Sequence, residues 1–296
     1  AKELVAIAKK FGEDRAGRLA SLVAYYGFFS FFPLLLVLVT AMGFVLGGDS
    51  SLERKIVDSA LSQFPVVGEQ IEARSLNGSG LALVIGILTS LWAGLGATQA
   101  MESSMNEIWD IPIKDHPNFL MSRVKGLAML GVLGAGLVGA VVLGSVGTFG
   151  NRLGIVGAIV SLVVAVALAT ALFLLAFRIL PNDDQPWRAL LPGAVVAGVG
   201  FLALQLVGGY YVNRVVSGAS EAYGVFALVI GLLSWMHLLA KVALFAAEVN
   251  VVRHLELWPR SLHGDDLTEA DERALRRYAK SEERRDDEQV DVAIQE

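Results

Sequence analysis

A chain of 296 residues that is 54% hydrophobic and 18% charged carries too little charge for an ordinary soluble globular domain, in which about a quarter of residues are charged. The absence of cysteine excludes disulfides, thiolate nucleophiles and cysteine-based metal sites. The net charge of −5 excludes little, because 13 of the 29 acidic residues lie from Glu256 onward.

Six stretches hold no Asp, Glu, Lys or Arg: 19–48, 75–101, 126–151, 153–177, 189–213 and 222–240. About 20 apolar residues cross a hydrocarbon core as a helix. Six such runs in succession predict an all-α polytopic membrane protein. Its spans are expected at about 19–47, 79–106, 125–148, 153–179, 189–212 and 224–252. A segment at 1–18 precedes the 19–256 transmembrane domain, and a charged tail, 257–296, follows it. With the N-terminus inside, 18 Lys and Arg fall in inner segments and five in outer loops. The excess of positive charge predicts both termini in the cytoplasm.

The first span is too long for a signal peptide, and its Ser-Phe-Phe-Pro run does not suit one. It carries Tyr25, Tyr26, Ser30 and Pro33. A mid-span proline frees a carbonyl that Ser30 can help satisfy, giving either a kink that lines a cavity or static curvature. In the outer loop, 49–80, Leu52, Ile56, Ala60, Leu61 and Phe64 recur at helical spacing. They predict an amphipathic helix, lying on the membrane surface or packed on the bundle. The second span ends in a polar stripe of Gln99, Glu102 with Ser103, and Asn106.

Two prolines mark an inner turn within 110–123, and Pro-Asn-Asp-Asp-Gln-Pro at 181–186 marks another. The third span is rich in glycine, with small-xxx-small pairs such as Ala135 and Gly139 that favour close helix packing. Pro192 is expected in the first turn of the fifth span, where a missing N–H costs nothing. In the last span Ser234, His237, Lys241 and Glu248 form one helical stripe, with Asn250 beyond. Ionisable groups at membrane depth are costly and mark functional candidates. Glu102 and Lys241 lie at equal depth, so a cross-helix pair is geometrically allowed. Against this, Lys241 can snorkel to the headgroups, and Glu248 and Asn250 can simply end the helix. After Trp258-Pro259, Thr268 and Asp271 resemble a capping arrangement for a polar helix over about 269–285. Its apolar positions, Ala274, Leu275 and Tyr278, are too few to build a core.

Ala24-Tyr25-Tyr26-Gly27-Phe28-Phe29-Ser30-Phe31-Phe32-Pro33-Leu34-Leu35-Leu36 resembles the signature of the YihY/BrkB family of bacterial inner-membrane proteins. Leu91-Trp92, Met105-Asn106-Glu107-Ile108-Trp109, Pro192-Gly193 and the run from Tyr223-Gly224 through Trp235 to Ala247-Glu248-Val249-Asn250 follow in the family's order. The resemblance covers about residues 10–255. His237, Lys241 and Ala246 depart from the family's pattern, so no role for Lys241 is inherited from it. The tail resembles actinobacterial members. The resemblance implies six spans in the bacterial cytoplasmic (inner) membrane and an unsettled activity. The family has been labelled ribonuclease BN-like, linked to serum resistance, and proposed to transport lipids.

The reading that follows is a transporter or flippase of an amphiphilic, lipid-like substrate, working through a cavity between the first, second and sixth spans. Its pathway candidates are Glu102, Lys241, Glu248, His237, Gln99, Asn106, Asn250 and Ser234. The kink or cavity candidates are Ser30, Pro33, Tyr25 and Tyr26. Membrane lipids are the expected partners; no nucleic acid, metal or cofactor is expected, and homo-oligomer formation stays open. A non-transporting envelope scaffold is the alternative. Enzyme activity is not expected, since four scattered histidines offer neither a metal cluster nor a nucleophile–base pair.

Overall fold

The computed structural model describes residues 2–45, 80–150, 154–211, 225–261, 267–290 and 292–293. The amphipathic helix expected in the first outer loop lies outside the described residues. Among those described, the chain is all-helical, with eight α-helices and one 3₁₀ turn. These are α1 (Lys2–Glu13), α2 (Ala16–Val45), α3 (Gly80–Ile108), α4 (Phe119–Gly150), α5 (Gly154–Ile179), α6 (Trp187–Tyr211), α7 (Val225–His254) and α8 (Glu269–Ser281).

Four of the six long helices contain a described stretch long and apolar enough to cross a membrane: Phe119–Gly136, Gly154–Ile179, Trp187–Gly208 and Val229–His254. Their surfaces match that solvent. On α5, Ile155, Val156, Ile159, Val160 and Val163 all point outward, a band of apolar surface that water would penalise and hydrocarbon does not.

Each long helix packs on the next in chain order, and α7 closes the ring against α2 while also touching α3. The terminal helices α1 and α8 sit at one end of this bundle. Most of the buried core gathers there too, with Met105, Ile108, Trp109, Phe177, Leu190, Leu244 and Val252 under Ala6, Ile7 and Ala274. This end is called the closed end below.

Local chemistry sets several helix ends. Arg15, at φ 53°, leaves the helical region and separates α1 from α2. The carboxamide of Asn118 accepts from the Met121 N–H at 2.9 Å, so α4 starts several residues before its charge-free stretch. Pro186 sets the start of α6 at Trp187, with its carbonyl accepting from the Ala189 N–H at 2.8 Å. Pro192 is therefore the sixth residue of α6 rather than part of its first turn, contrary to the sequence expectation. It removes the helix bond to the Arg188 carbonyl. The neighbouring Gly193 N–H donates instead to Asn250 Oδ1 on α7 at 2.6 Å.

Gly193 is needed for that contact. A Cβ there would run into the Ala246 carbonyl oxygen and the Asn250 side chain, so only glycine lets α6 and α7 meet this closely. The small-residue packing expected of the third span is present at Gly139, which lies against Leu168 of α5, and at Gly136. A Cβ on Gly136 would strike Leu172 of α5, whereas Gly131 and Gly134 face open space.

The tail helix α8 opens with the capping arrangement read from its sequence. Thr268 accepts from the Asp271 N–H, and the Asp271 carboxylate accepts from the Thr268 N–H. The helix then docks on the closed end through polar contacts, which its few apolar residues do not predict. Arg277 Nη2 donates to the Trp109 carbonyl at 2.8 Å, and Lys114 pairs with Glu283 at 2.8 Å.

Candidate functional site

The polar stripes of the second and last spans do not meet as one unit. On α3, Glu102 is buried and turns towards α4, where Ser122 Oγ donates to its Oε2. Gln99 Nε2 donates to the same Ser122 hydroxyl at 3.5 Å. Lys241 is exposed, and its stem lies beside Gly17 at the start of α2. The Glu102–Lys241 pair allowed by depth is therefore not formed. The long lysine stem reaches the end of the bundle instead.

Asn106 and Asn250 act as clamps. Asn106 Oδ1 accepts from the Asn182 N–H at 2.8 Å, tying the end of α3 to the 181–186 turn. Asn250 holds α6 to α7 through Gly193.

On α2, the Ser30 hydroxyl donates to the Gly27 carbonyl at 2.8 Å, and the helix runs on through Pro33. Tyr25 and Tyr26 are exposed and meet edge to face, with ring centroids 5.5 Å apart. The contacts between α2 and α7 fall in a regular antiparallel register. Gly17 lies against Lys241, and four residues on Ser21 Oγ lies 3.4 Å from His237 Nδ1. One further turn brings Tyr25 to the level of Ser234, both exposed. Four residues rise about 6 Å, so this polar ladder spans about 12 Å of helix.

Glu248 belongs to a different site, at the closed end. Lys10 of α1 lies there without solvent exposure. Its ammonium is 2.6 Å from Asp14 Oδ2, 3.3 Å from Asp110 Oδ1 and 4.0 Å from Glu248 Oε2. It also lies over the Tyr278 ring of α8, 5.1 Å from the centroid. Asp14 and Asp110 are nearly as buried as Glu248. Arg277 reaches Asp110 Oδ2 at 3.3 Å from the surface edge.

Burial works against the Lys10 charge, but Glu248, Asp110 and Asp14 outweigh it and hold its pKa above 10.5. For Asp110, burial dominates and lifts its carboxyl above the usual 3.8 despite Lys10. The Tyr278 phenol is likewise pushed up, by burial and by Asp14 and Glu13.

A second network lies beside the first. The Asp271 carboxylate accepts from Arg260 Nε at 2.6 Å, Lys9 Nζ at 2.9 Å and the Ser261 N–H at 2.8 Å. Arg260 also reaches Glu13 at 2.9 Å. Burial alone would raise the Asp271 pKa; the donors from Ser261, Arg260, Lys9 and Thr268 hold it well below the usual range.

Sequence reasoning found Glu248 and missed Lys10, Asp14, Asp110 and Arg277. A usable signal was present in α1. Ala6, Ile7 and Lys10 follow helical spacing with Asp14 one turn on, a pattern that puts one charged pair on a buried face.

A ring of long apolar helices, capped at one end by buried ionic networks, defines a multi-pass α-helical membrane protein. Residues 7–266 match the family described as Virulence factor BrkB, and the chain belongs to that family. It is 26% identical over 252 residues to the ribonuclease-like protein YfkH of Bacillus subtilis, covering 78% of this chain and 88% of that one. It is 21% identical over 273 residues to the inner membrane protein YhjD of Escherichia coli, covering 82% and 78%. A membrane protein of Pseudomonas aeruginosa is 26% identical over 265 residues, 86% of this chain and 63% of its own. No solved structure matches the chain. The protein is one of the bacterial cytoplasmic membrane, as its relatives' names and its apolar helices together show.

Proposed function

We propose that the protein moves an amphiphilic substrate across the cytoplasmic membrane, with six spans and the closed end facing the cytoplasm. The orientation rests on the excess of Lys and Arg in the segments assigned to the inside and on α1 and α8 sharing one end of the bundle.

The observation that carries the transport reading is the α2–α7 ladder. Ser21, Tyr25, Ser234 and Lys241 are exposed along one seam, with His237 half-buried between them. The neighbouring outward residues Leu22, Phe29, Ile230 and Leu238 are apolar. Polar groups facing hydrocarbon cost free energy unless they meet a partner. An amphiphile can supply one by running its headgroup along the ladder while its chains stay in lipid. Lys241 at the lower end favours an anionic headgroup.

Ribonuclease chemistry is not part of this reading. His116 contacts the Ile111 carbonyl, His237 contacts Ser21, and His254 lies against Trp109; these are three separate places.

The test is flux in vesicles holding purified protein and a fluorescent lipid panel. The reading expects faster exchange of anionic than zwitterionic lipid, and slower exchange for Lys241→Gln and His237→Ala. Equal exchange with and without protein across the panel rejects it.

A further inference from the structure

The closed end holds two ionic networks, and only one of them balances. In the Asp271 network two carboxylates, Glu13 and Asp271, face two cations, Lys9 and Arg260. In the Lys10 cluster three carboxylates, Asp14, Asp110 and Glu248, face Lys10 and Arg277. One negative charge is in excess, in a place where an unpaired charge is expensive.

The hydrogen bonds show where the excess lies. Asp14 is held by Lys10, and Asp110 by Lys10 and Arg277. Glu248 is fully buried, and neither of its oxygens has a hydrogen-bond partner. An ionised carboxylate is an acceptor with about four lone-pair sites to satisfy; here it has only an ammonium 4.0 Å away. A metal ion does not fit, because the Lys10 ammonium already occupies the space between the carboxylates. Among the described residues no group of His, Asp and Glu has a metal-holding arrangement.

The geometry points to Glu248 as a proton-binding site, whose carboxylate takes up and releases one proton through the solvent edge at Asp110 and Arg277. With the proton on, two carboxylates and one carboxylic acid meet two cations, and the cluster is neutral. The bond formed is the Glu248 O–H; the proton comes from water at the closed end and returns there.

Beside the cluster, Glu107 of α3 faces Asp14 and is offset by Arg18 and Arg15 at the start of α2. Lys10 and Asp14 come from α1, Asp110 from the link after α3, and Arg277 and Tyr278 from α8. Asn250 is the neighbouring polar group on α7, its amide nitrogen without a partner. Arg277 is about one-third exposed, so the proton's route out is short. The site goes beyond the transport reading and does not need it.

Infrared spectroscopy of the purified full chain tests the site without any assay of transport. The wild type is expected to show the C=O band of a buried protonated carboxylic acid at neutral pH, shifted in D₂O and lost at alkaline pH. Glu248→Gln, which keeps volume and removes the charge, is expected to abolish the band. Asp14→Asn removes one excess negative charge, so the midpoint at which the band is lost should fall by about one pH unit or more. Absence of the band in the wild type at neutral pH overturns the inference. So does a band that persists unchanged in Glu248→Gln.

Discussion

The Lys10 cluster and the Asp271 network share α1 and α8, yet they are built on different principles. In the Asp271 network each charge has a partner, and the carboxylate collects donors from Arg260, Lys9, Thr268 and the Ser261 backbone. Such a site fixes geometry, and its low Asp271 pKa reports how fully the anion is satisfied. The Lys10 cluster collects more acid than base around a single ammonium that has no solvent exposure. The first arrangement is a lock. The second leaves one carboxylate, Glu248, without a hydrogen-bond donor. Both networks straddle the family boundary at residue 266: Arg277 of the Lys10 cluster lies beyond it, as does Asp271, while Lys9, Glu13 and Arg260 lie inside.

The largest expected effect comes from removing the centre of the unbalanced cluster. Lys10→Met leaves three buried carboxylates with only Arg277 at the rim. Breaking a buried pair from one side costs about 3–5 kcal/mol, so thermal unfolding in detergent should shift to markedly lower temperature. A change no larger than that of an exposed variant such as Lys2→Met would show that the cluster is not buried as described.

Next in size is Asp271→Asn. Asparagine keeps the shape but loses the charge-assisted bonds, each worth about 1.5–3 kcal/mol to a charged group. The expected result is local: protease should cut within 262–290 far sooner, while the six-helix bundle keeps its unfolding temperature. Equal loss in both would merge the two networks into one cooperative unit.

pH separates them further. The folded Asp271 pKa lies below its ordinary value of 3.8, so its contribution is present above that value and is lost as pH falls through the folded pKa. Asp110 has the opposite sign. Its folded pKa is raised, so its contribution is present below pH 3.8 and is lost as pH rises through the folded value. Lys10 is raised too; its contribution is full below 10.5 and disappears above it. Mild acidification should therefore leave protease protection of the tail intact. Alkaline pH above about 10.5 should unfold the closed end first, as read by hydrogen exchange of α1.

How much of this was legible beforehand differs by region for physical reasons. The long helices were readable because hydrocarbon tolerates so few charges; the 153–179 expectation stands one residue from the observed Gly154–Ile179. Glu248 was readable as a buried ionisable group, but its partners were not. Lys10 and Asp110 lie 100 residues apart, and only the packing of α1 on α7 brings them to Glu248. Lys241 misled because depth does not give facing: Glu102 turns to Ser122 of α4, whereas Lys241 is exposed. The register of α7 on α2 puts it opposite Gly17, at the bundle's end. Pro192 was misplaced because Pro186, not the last charge, starts α6. The tail looked too polar to dock, because counting apolar residues overlooks a helix held by Asp271 and Arg277.

The smallest stability effect should come from Glu248→Gln, even though Glu248 is as deeply buried as Lys10. If the native cluster is neutral with Glu248 protonated, glutamine replaces one neutral group by another of the same size. Stability at neutral pH should then change by about 1 kcal/mol or less, within the range of a single neutral hydrogen bond. If Glu248 is instead ionised and paired with Lys10, the same substitution removes one side of a buried ion pair and belongs with Lys10→Met, at about 3–5 kcal/mol. Unfolding temperatures of the two variants, measured side by side in one detergent, therefore decide whether the excess charge is real or is carried as a proton.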